Sequence, residues 1–221
     1  MALAACGGTG GAVAATYTVR FVHLIPNSGA YSAHLADGSV GADSEVDIGP
    51  LSPLETSPNV RVNGESTRWV STIGSQPVPA VDLAGQPGSL FSVRVIGSLE
   101  SDEGLPRPTA RVVAELNDVP LRSAGLRVMH AAPGFGPLDI ECRPLREAPI
   151  ALATALPYGQ ISPQADGLAP PTYVPPGTLT IIVREVGQDQ ALVTATVAAT
   201  ANQLLDLAVV TAAGVPAVVS W

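Results

Sequence analysis

Lysine is absent from this chain of 221 residues, and all eleven basic residues are arginines. Charged residues make up only 14% of the sequence, and 19 acidic residues give a net charge of −8. Because the phosphates of a nucleic acid would repel such a chain, we expect no nucleic-acid partner. Hydrophobic residues make up 46% of the sequence, which excludes a disordered, highly charged protein.

Aromatic residues are also scarce, at 4%, so the sequence predicts a core of aliphatic side chains. The 22 glycines and 21 prolines follow no triplet period, which excludes collagen. Their spread is typical of many short strands joined by turns. No long segment repeats apolar residues at helical spacing. The composition therefore predicts an all-β protein.

Two stretches of the chain share a pattern of apolar residue, arginine, two apolar residues, histidine, two apolar residues and proline. They are residues 19–26 and 126–133, in which His23 and His130 lie 107 positions apart. A Pro-Gly pair precedes a β-branched run at 87–88 and again at 176–177. Motifs matched in the same order indicate a duplicated module. The smaller offset of the Pro-Gly pairs predicts an insertion of about 18 residues in the first copy.

We expect two tandem modules, each an antiparallel β-sandwich. Residues 1–16 form a lipobox and a Gly-rich tether, 17–122 a diverged module with an acidic insertion at 37–58, and 125–221 the second module. The first module is expected to lack a late strand like 204–211, and residues 148–156 are expected to form a short helix. Strands are predicted at 18–24, 31–35, 60–62, 68–73, 91–96, 111–116, 126–130, 138–143, 158–162, 179–185, 191–198, 204–211 and 217–221.

Cys6 follows Leu3-Ala4-Ala5, a sequence that resembles a bacterial lipobox, and a Gly-rich stretch follows it. The pattern predicts a lipid on the Cys6 thiol and a flexible tether after it. A signal peptide needs a charged segment and 7–15 apolar residues before its cleavage site, so we expect the natural start to lie upstream. Gly7 in place of aspartate resembles enterobacterial lipoproteins of the outer membrane, and this resemblance implies the outer membrane of a Gram-negative bacterium over retention at the inner membrane. The alternative is a chance occurrence in an alanine-rich chain.

The segment around His130, which reads Leu-Arg-Val-Met-His-Ala-Ala-Pro and then Pro-Leu-Asp-Ile, resembles the opening of domain of unknown function 4397. Residues 174–181 resemble a later Pro-Gly segment of that family, and 205–210 resemble its late strand. The resemblance covers most of 125–221, and 17–122 resembles a diverged copy. It implies a secreted or lipid-anchored bacterial protein with tandem immunoglobulin-like sandwiches, and it implies no activity.

Catalytic and cofactor motifs are missing from the sequence, which contains no nucleophile elbow, zincin helix, Cys-x-x-Cys pair or phosphate-binding loop. We therefore predict no enzyme and no cofactor. Because His23 and His130 occupy equivalent places in separate modules, we expect both rings to bond loop backbone instead of binding zinc. His34 is predicted to be exposed. Cys142 is predicted to be a buried, unreactive thiol.

Asp43, Glu45 and Asp47 are spaced by two, and calcium favours such clusters of carboxylates. The glycine and glutamate of a calcium-binding EF-hand loop are missing, since Ile48 and Leu54 occupy their places. A solvated acidic loop is therefore favoured over a calcium site. A second acidic loop begins at Glu100.

The leading hypothesis is a non-enzymatic cell-envelope lipoprotein, anchored to a membrane through Cys6, whose modules make structural or binding contacts with a protein or a glycan. One alternative is a periplasmic hydrolase with an unrecognised site, which would need a pocket with converging groups. Another is a sugar-binding module, which would need an exposed aromatic pair. The candidates for such a pair are Trp69, Tyr158, Tyr173 and Trp221.

Overall fold

The computed structural model describes residues 16–36, 46–63, 66–100, 104–115, 118–145, 147–163 and 170–221, and every regular element in them is a strand. The predicted all-β sandwich class is confirmed. No helix in the described ranges is long and apolar enough to cross a bilayer. The predicted lipidation site Cys6 lies outside the described residues.

The first half of the chain forms two four-stranded sheets. Sheet A1 has the order β4-β1-β7-β8, and sheet B1 has the order β3-β2-β5-β6. Their strands are β1 (Thr16–His23), β2 (Tyr31–Leu35), β3 (Asp47–Leu51), β4 (Val60–Asn63), β5 (Ser66–Ile73), β6 (Gln76–Ala84), β7 (Leu90–Ile96) and β8 (Thr109–Ala114).

The second half repeats this plan. Sheet A2 has the order β12-β9-β16-β17, with β13 also pairing β9, and sheet B2 has the order β11-β10-β14-β15. Their strands are β9 (Ala124–Ala131), β10 (Leu138–Pro144), β11 (Ile150–Leu156), β12 (Ile161–Ser162), β13 (Thr172–Val174), β14 (Gly177–Glu185), β15 (Val193–Ala199), β16 (Leu204–Ala212) and β17 (Val215–Ser220).

The A sheets are mixed, which the purely antiparallel prediction did not foresee. β1 runs parallel to β7, and β9 runs parallel to β16. His23 is paired with Val95, and His130 is paired with Val209. Because β1 and β9 match in sequence, these registers make β7 the counterpart of β16.

The strand order corrects the predicted match between the two Pro-Gly pairs. The first pair, at 87–88, leads into β7, the counterpart of β16, whereas Gly177 of the second pair begins β14, the counterpart of β5. The pairs therefore occupy different places, and the inferred insertion loses its basis. The first half also has its late strand, because β7 fills that position. Part of the predicted acidic insertion forms β3, and residues 37–45 lie outside the described ranges.

The predicted helix at 148–156 was wrong, because this alanine-rich segment forms β11. β11 pairs antiparallel with β10 through a bulged register, and the Asp139 carboxylate accepts a hydrogen bond from the Ala155 backbone N–H at 2.8 Å. Alanine has the highest intrinsic helix propensity, but tertiary context often outweighs propensity. Here the pairing with β11 satisfies backbone groups of β10 that a helix at this place would have left unpaired. β3 and β6 were missed because both contain proline, which edge strands tolerate.

Three apolar clusters order the sheets as four layers, B1-A1-A2-B2. The core of the first half lies between B1 and A1, where Phe21 packs against Trp69 with ring centroids 4.9 Å apart. The core of the second half lies between A2 and B2. A third cluster joins A1 to A2 and includes Val22 of β1, Leu24 just after β1 and Met129 of β9. The two sandwiches therefore share a buried interface.

Candidate functional site

Five charged residues lie together at the interface between A1 and A2. Side chains alternate between the two faces of a strand, so one face of β1 packs into its own sandwich and the other meets A2. Arg20 lies on that second face of β1, and Arg127 holds the same position on β9. We call the set the ion cluster; it consists of Arg20, Arg94, Glu115, Arg127 and Asp206.

Asp206 of β16 is the centre of the ion cluster. Its Oδ1 accepts hydrogen bonds from Arg94 Nη2 at 2.9 Å and from Arg127 Nε at 2.8 Å. Its Oδ2 accepts from Arg127 Nη2 and Arg20 Nη2, both at 3.0 Å. The Asp206 side chain is 1% exposed, so one buried carboxylate links three arginines from both halves of the chain.

Glu115, which follows β8, is the second acceptor of the ion cluster. Its Oε1 accepts from Arg20 Nε at 3.0 Å and from Arg20 Nη2 at 2.5 Å, and it lies 3.6 Å from Arg127 Nη2. Arg127 Nη1 also donates to the Ala114 carbonyl at 3.2 Å. The first half thus supplies acceptors to a cation of the second half. These reciprocal contacts fix how the two sandwiches meet.

The electrostatics of the ion cluster follow from its burial. Burial by itself raises the pKa of Asp206, but the charges of Arg94, Arg127 and Arg20 outweigh that effect and hold the pKa below its ordinary value. Burial also lowers the pKa of Arg94, an effect that Asp206 opposes. Arg94 is fully buried beneath the Trp221 ring, with its guanidinium carbon 5.1 Å from the ring centroid. Ionised groups this deep persist only when they are well paired.

One end of the ion cluster opens into a cleft of about 370 Å³ between the two halves. We call this cleft the interface cleft. Its lining includes Arg20 and Glu115 of the ion cluster together with Asn59, Asn202 and Gln203.

The two repeated histidines bond loop backbone, as predicted. His23 Nε2 lies 3.1 Å from the Gly29 carbonyl oxygen, and His130 Nε2 lies 3.0 Å from that of Gly136. Both contacts require an N–H on Nε2, and the other nitrogen of His130 accepts from the Ala132 N–H at 3.3 Å. Burial lowers the pKa of both imidazoles. Lowered pKa values favour neutral rings at pH 7, and each ring ties a strand end to the loop that follows it.

Ser28 lies beside His23, and this pair invites comparison with an activated nucleophile. Ser28 Oγ is 2.8 Å from His23 Nε2. The Nε2 proton is already committed to the Gly29 carbonyl, and the Ser28 hydroxyl donates to the Ile25 carbonyl at 2.7 Å. A general base needs a free lone pair facing the hydroxyl, and Nε2 has none here. The arrangement suits a turn and does not suit catalysis.

The remaining predicted residues do not converge on one site. Cys142 is buried, and burial together with the nearby Glu141 raises the pKa of its thiol to about 11. His34 is exposed, as predicted. Of the calcium candidates, Asp47 is exposed at the start of β3, whereas Asp43 and Glu45 lie outside the described residues. No group of three metal-ligating side chains occurs within the described ranges.

The four aromatic candidates are dispersed through the structure. Trp69 is 1% exposed in the core of the first half. Tyr158 and Trp221 pack against the interface, and the hydroxyl of Tyr158 and the indole nitrogen of Trp221 are buried. Tyr173 is exposed, and its hydroxyl donates to the Asp118 carbonyl at 3.3 Å. Among the described residues, these four side chains do not form an exposed stacking pair.

Comparison with known proteins leaves the family open. No family model matches the chain, and no curated protein matches it. Among solved structures, it is similar to a family 26 carbohydrate-binding module from Amy13K of Eubacterium rectale, determined in complex with maltoheptaose. The match has 13% identity and a TM-score of 0.29, and it covers 92% of this chain and 96% of the other. At that TM-score, the likeness does not bear on the site or the ligand of this chain.

The ion cluster was not predicted, although parts of it were visible in the sequence. Arg20 and Arg127 are the charged residues of the repeated motif, each set among apolar neighbours. Asp206 is likewise a single acid in an apolar run. A charge in a predicted buried strand needs a partner, and that rule marks all three residues. It does not identify the partners, because Arg94 and Asp206 are 112 positions apart.

Proposed function

We propose that this protein is a non-enzymatic cell-envelope lipoprotein in which two β-sandwiches, joined as one rigid body, make structural or binding contacts at the end of a lipid-anchored tether. The observation that carries the proposal is the ion cluster. Its five side chains bond one another across the interface, which favours a fixed relative orientation of the two halves. Freely hinged domains would instead meet through a smaller and more hydrated surface.

The polar groups of the described residues favour a role without catalysis. Ser28 and His23 are each committed to a backbone carbonyl, and His130 bonds Gly136 and Ala132 in the same structural manner. A direct test is a screen of esters, phosphoesters, glycosides and peptides. Turnover that Ser28→Ala abolishes would overturn the non-enzymatic assignment.

The proposed location in the cell envelope rests on the sequence. Leu3-Ala4-Ala5 before Cys6, and the glycines after it, fit lipid attachment and a tether. The resemblance of 125–221 to domain of unknown function 4397 supports the same setting. A single acyl chain anchors only marginally, since each buried CH₂ contributes about 0.8 kcal/mol. A triacylated Cys6 would hold the protein stably at the outer membrane.

The anchoring test uses the chain behind a complete lipoprotein signal in a Gram-negative host. We expect Cys6→Ser to move the protein from the membrane fraction to the soluble fraction, because the thiol that carries the lipid is gone. Cys142→Ser is the matched control and should leave the protein in the membrane, since Cys142 is buried in the second sandwich. Mass spectrometry of the N-terminal peptide checks the modification directly. An unmodified Cys6 in the membrane fraction would refute the anchor.

The binding role is tested by presenting the protein to glycan and protein arrays. The expected result is saturable binding to a ligand of one class, without chemical change to the ligand. Retention at the envelope with no binding to either array would favour the structural role.

A further inference from the structure

We propose that the interface cleft is a binding site for a small hydroxylated monocarboxylate, a class that includes the uronic acids. The carboxylate of the ligand would face Arg20, and its hydroxyl groups would face the amides of Asn59, Asn202 and Gln203. The proposal rests on the ion cluster and the interface cleft, and it does not depend on the lipid anchor or on the envelope address.

The first argument is the charge balance of the ion cluster. Three arginines meet two carboxylates, which leaves an excess of one positive charge in the ion cluster. Arg94, Arg127, Glu115 and Asp206 are at most 4% exposed. Buried charges are normally matched by opposite charges, because an uncompensated one is costly. An anion at the exposed end of the ion cluster would complete the balance.

The second argument is the supply of unused donors. Arg20 donates through Nε and Nη2, so the hydrogen bonds found for it leave Nη1 available. The Arg20 side chain is 21% exposed, and it is the cation of the ion cluster that lines the interface cleft. An anion in the cleft therefore meets an unused guanidinium edge.

The third argument is the chemistry of the cleft wall. Asn202 Oδ1 accepts from the Arg122 backbone N–H at 2.9 Å, which leaves its NH₂ to donate. Asn59 and Gln203 are exposed amides, which both donate to and accept from hydroxyl groups. Glu115, which also lines the cleft, would repel a second negative charge, so a monoanion is favoured over a phosphate dianion. The site takes residues from both halves and exists only when they are docked.

The test is isothermal titration calorimetry of the full chain with glucuronate, with glucose as the neutral analogue. We expect saturable binding of glucuronate and none of glucose. Arg20→Gln should weaken binding by about tenfold or more, because it removes a charge-assisted hydrogen bond. Asn59→Ala and Gln203→Ala should each weaken binding less and leave the ion cluster intact. The matched control, Arg143→Gln, changes an exposed arginine of β10 and should bind as the parent does.

Because Arg20→Gln also disturbs the ion cluster, amide chemical shifts provide an independent readout. Glucuronate should shift the amides of residues 202–204 and of Asn59, in the parent and in Arg143→Gln alike. Binding unaffected by Arg20→Gln, Asn59→Ala and Gln203→Ala would overturn the proposal, and so would shifts spread over surface arginines. Equal binding of glucose would show that the carboxylate is not recognised and would also refute it.

Discussion

Neutralising Asp206 should destabilise the whole protein. Asp206→Asn keeps the size of the side chain but removes the charge that four hydrogen bonds from three arginines converge on. The three arginines would then have Glu115 as the single carboxylate of the ion cluster. Breaking a buried ion pair by removing one partner costs about 3–5 kcal/mol. For a chain of this size, each kcal/mol lowers Tm by about 2–4 °C, so we expect a fall of about 6–20 °C.

The measurement is thermal and urea unfolding followed by circular dichroism. Asp82→Asn is the matched control, because Asp82 also pairs with an arginine, Arg68, but is 66% exposed. Exposed pairs contribute at most about 1 kcal/mol, so this variant should unfold close to the parent. A fall in Tm for Asp206→Asn no larger than that of Asp82→Asn would refute the reasoning.

A double substitution separates charge from packing. Arg94→Met combined with Asp206→Asn leaves Arg20, Arg127 and Glu115, which restores the net charge of the parent cluster. If the uncompensated charge causes the loss, the double variant should be more stable than Asp206→Asn alone. Because the pKa of Asp206 lies below its ordinary value, its contribution to stability is complete above about pH 4 and is lost as the pH falls further. Asp206→Asn should therefore show a shallower loss of stability in acid.

Three other perturbations test separate parts of the structure. Burial lowers the pKa of His23 and His130, so the unfolded chain takes up protons near pH 6.5 that the folded chain does not; the free energy of unfolding should fall between pH 7.5 and 5.5, and less so in His130→Gln. With its thiol pKa at about 11 and no exposure, Cys142 should be alkylated only after unfolding, as read by peptide mass spectrometry, and rapid labelling of the native protein would contradict this. Met129→Ala should cost about 2–5 kcal/mol by leaving a cavity in the interface, whereas Leu121→Ala, at a side chain 83% exposed, should stay within about 0.5 kcal/mol in the same urea titration.

The sequence predicted strands best where alternation and β-branched residues coincide, as in β14. The sequence-based prediction failed for segments whose structure is determined by pairing with a neighbouring strand. β11 is rich in alanine and became a strand because β10 offered it a hydrogen-bonding edge. β6 carries Pro77 and Pro79, which local rules disfavour in a strand, yet its place at the edge of B1 needs fewer backbone donors. Such positions are set by long-range pairing and not by local propensity.

The site was harder to predict than the fold because it forms only when the two halves dock. Strand registers within each half place Arg20 beside Ser92 and Arg127 beside Asp206. Neither register reveals that the two faces meet, or that Arg94 crosses the interface to Asp206. The signal in the sequence was a repeated arginine in an apolar strand. Such a buried charge needs an oppositely charged partner, but the sequence does not show which residue that partner is.

The strand registers also show why a first half pairs with a second half and not with another first half. Arg20 and Arg127 hold equivalent positions, so two identical copies would bring like charges together. Asp206 in the second half holds the position that Ser92 holds in the first half. Its carboxylate accepts hydrogen bonds from both Arg20 and Arg127. A first half docked on another first half would lack this acceptor, since serine carries no charge to offset the guanidinium groups. Because an uncompensated buried charge costs several kcal/mol, the difference between serine and aspartate at one position favours the docking of unlike halves within the chain.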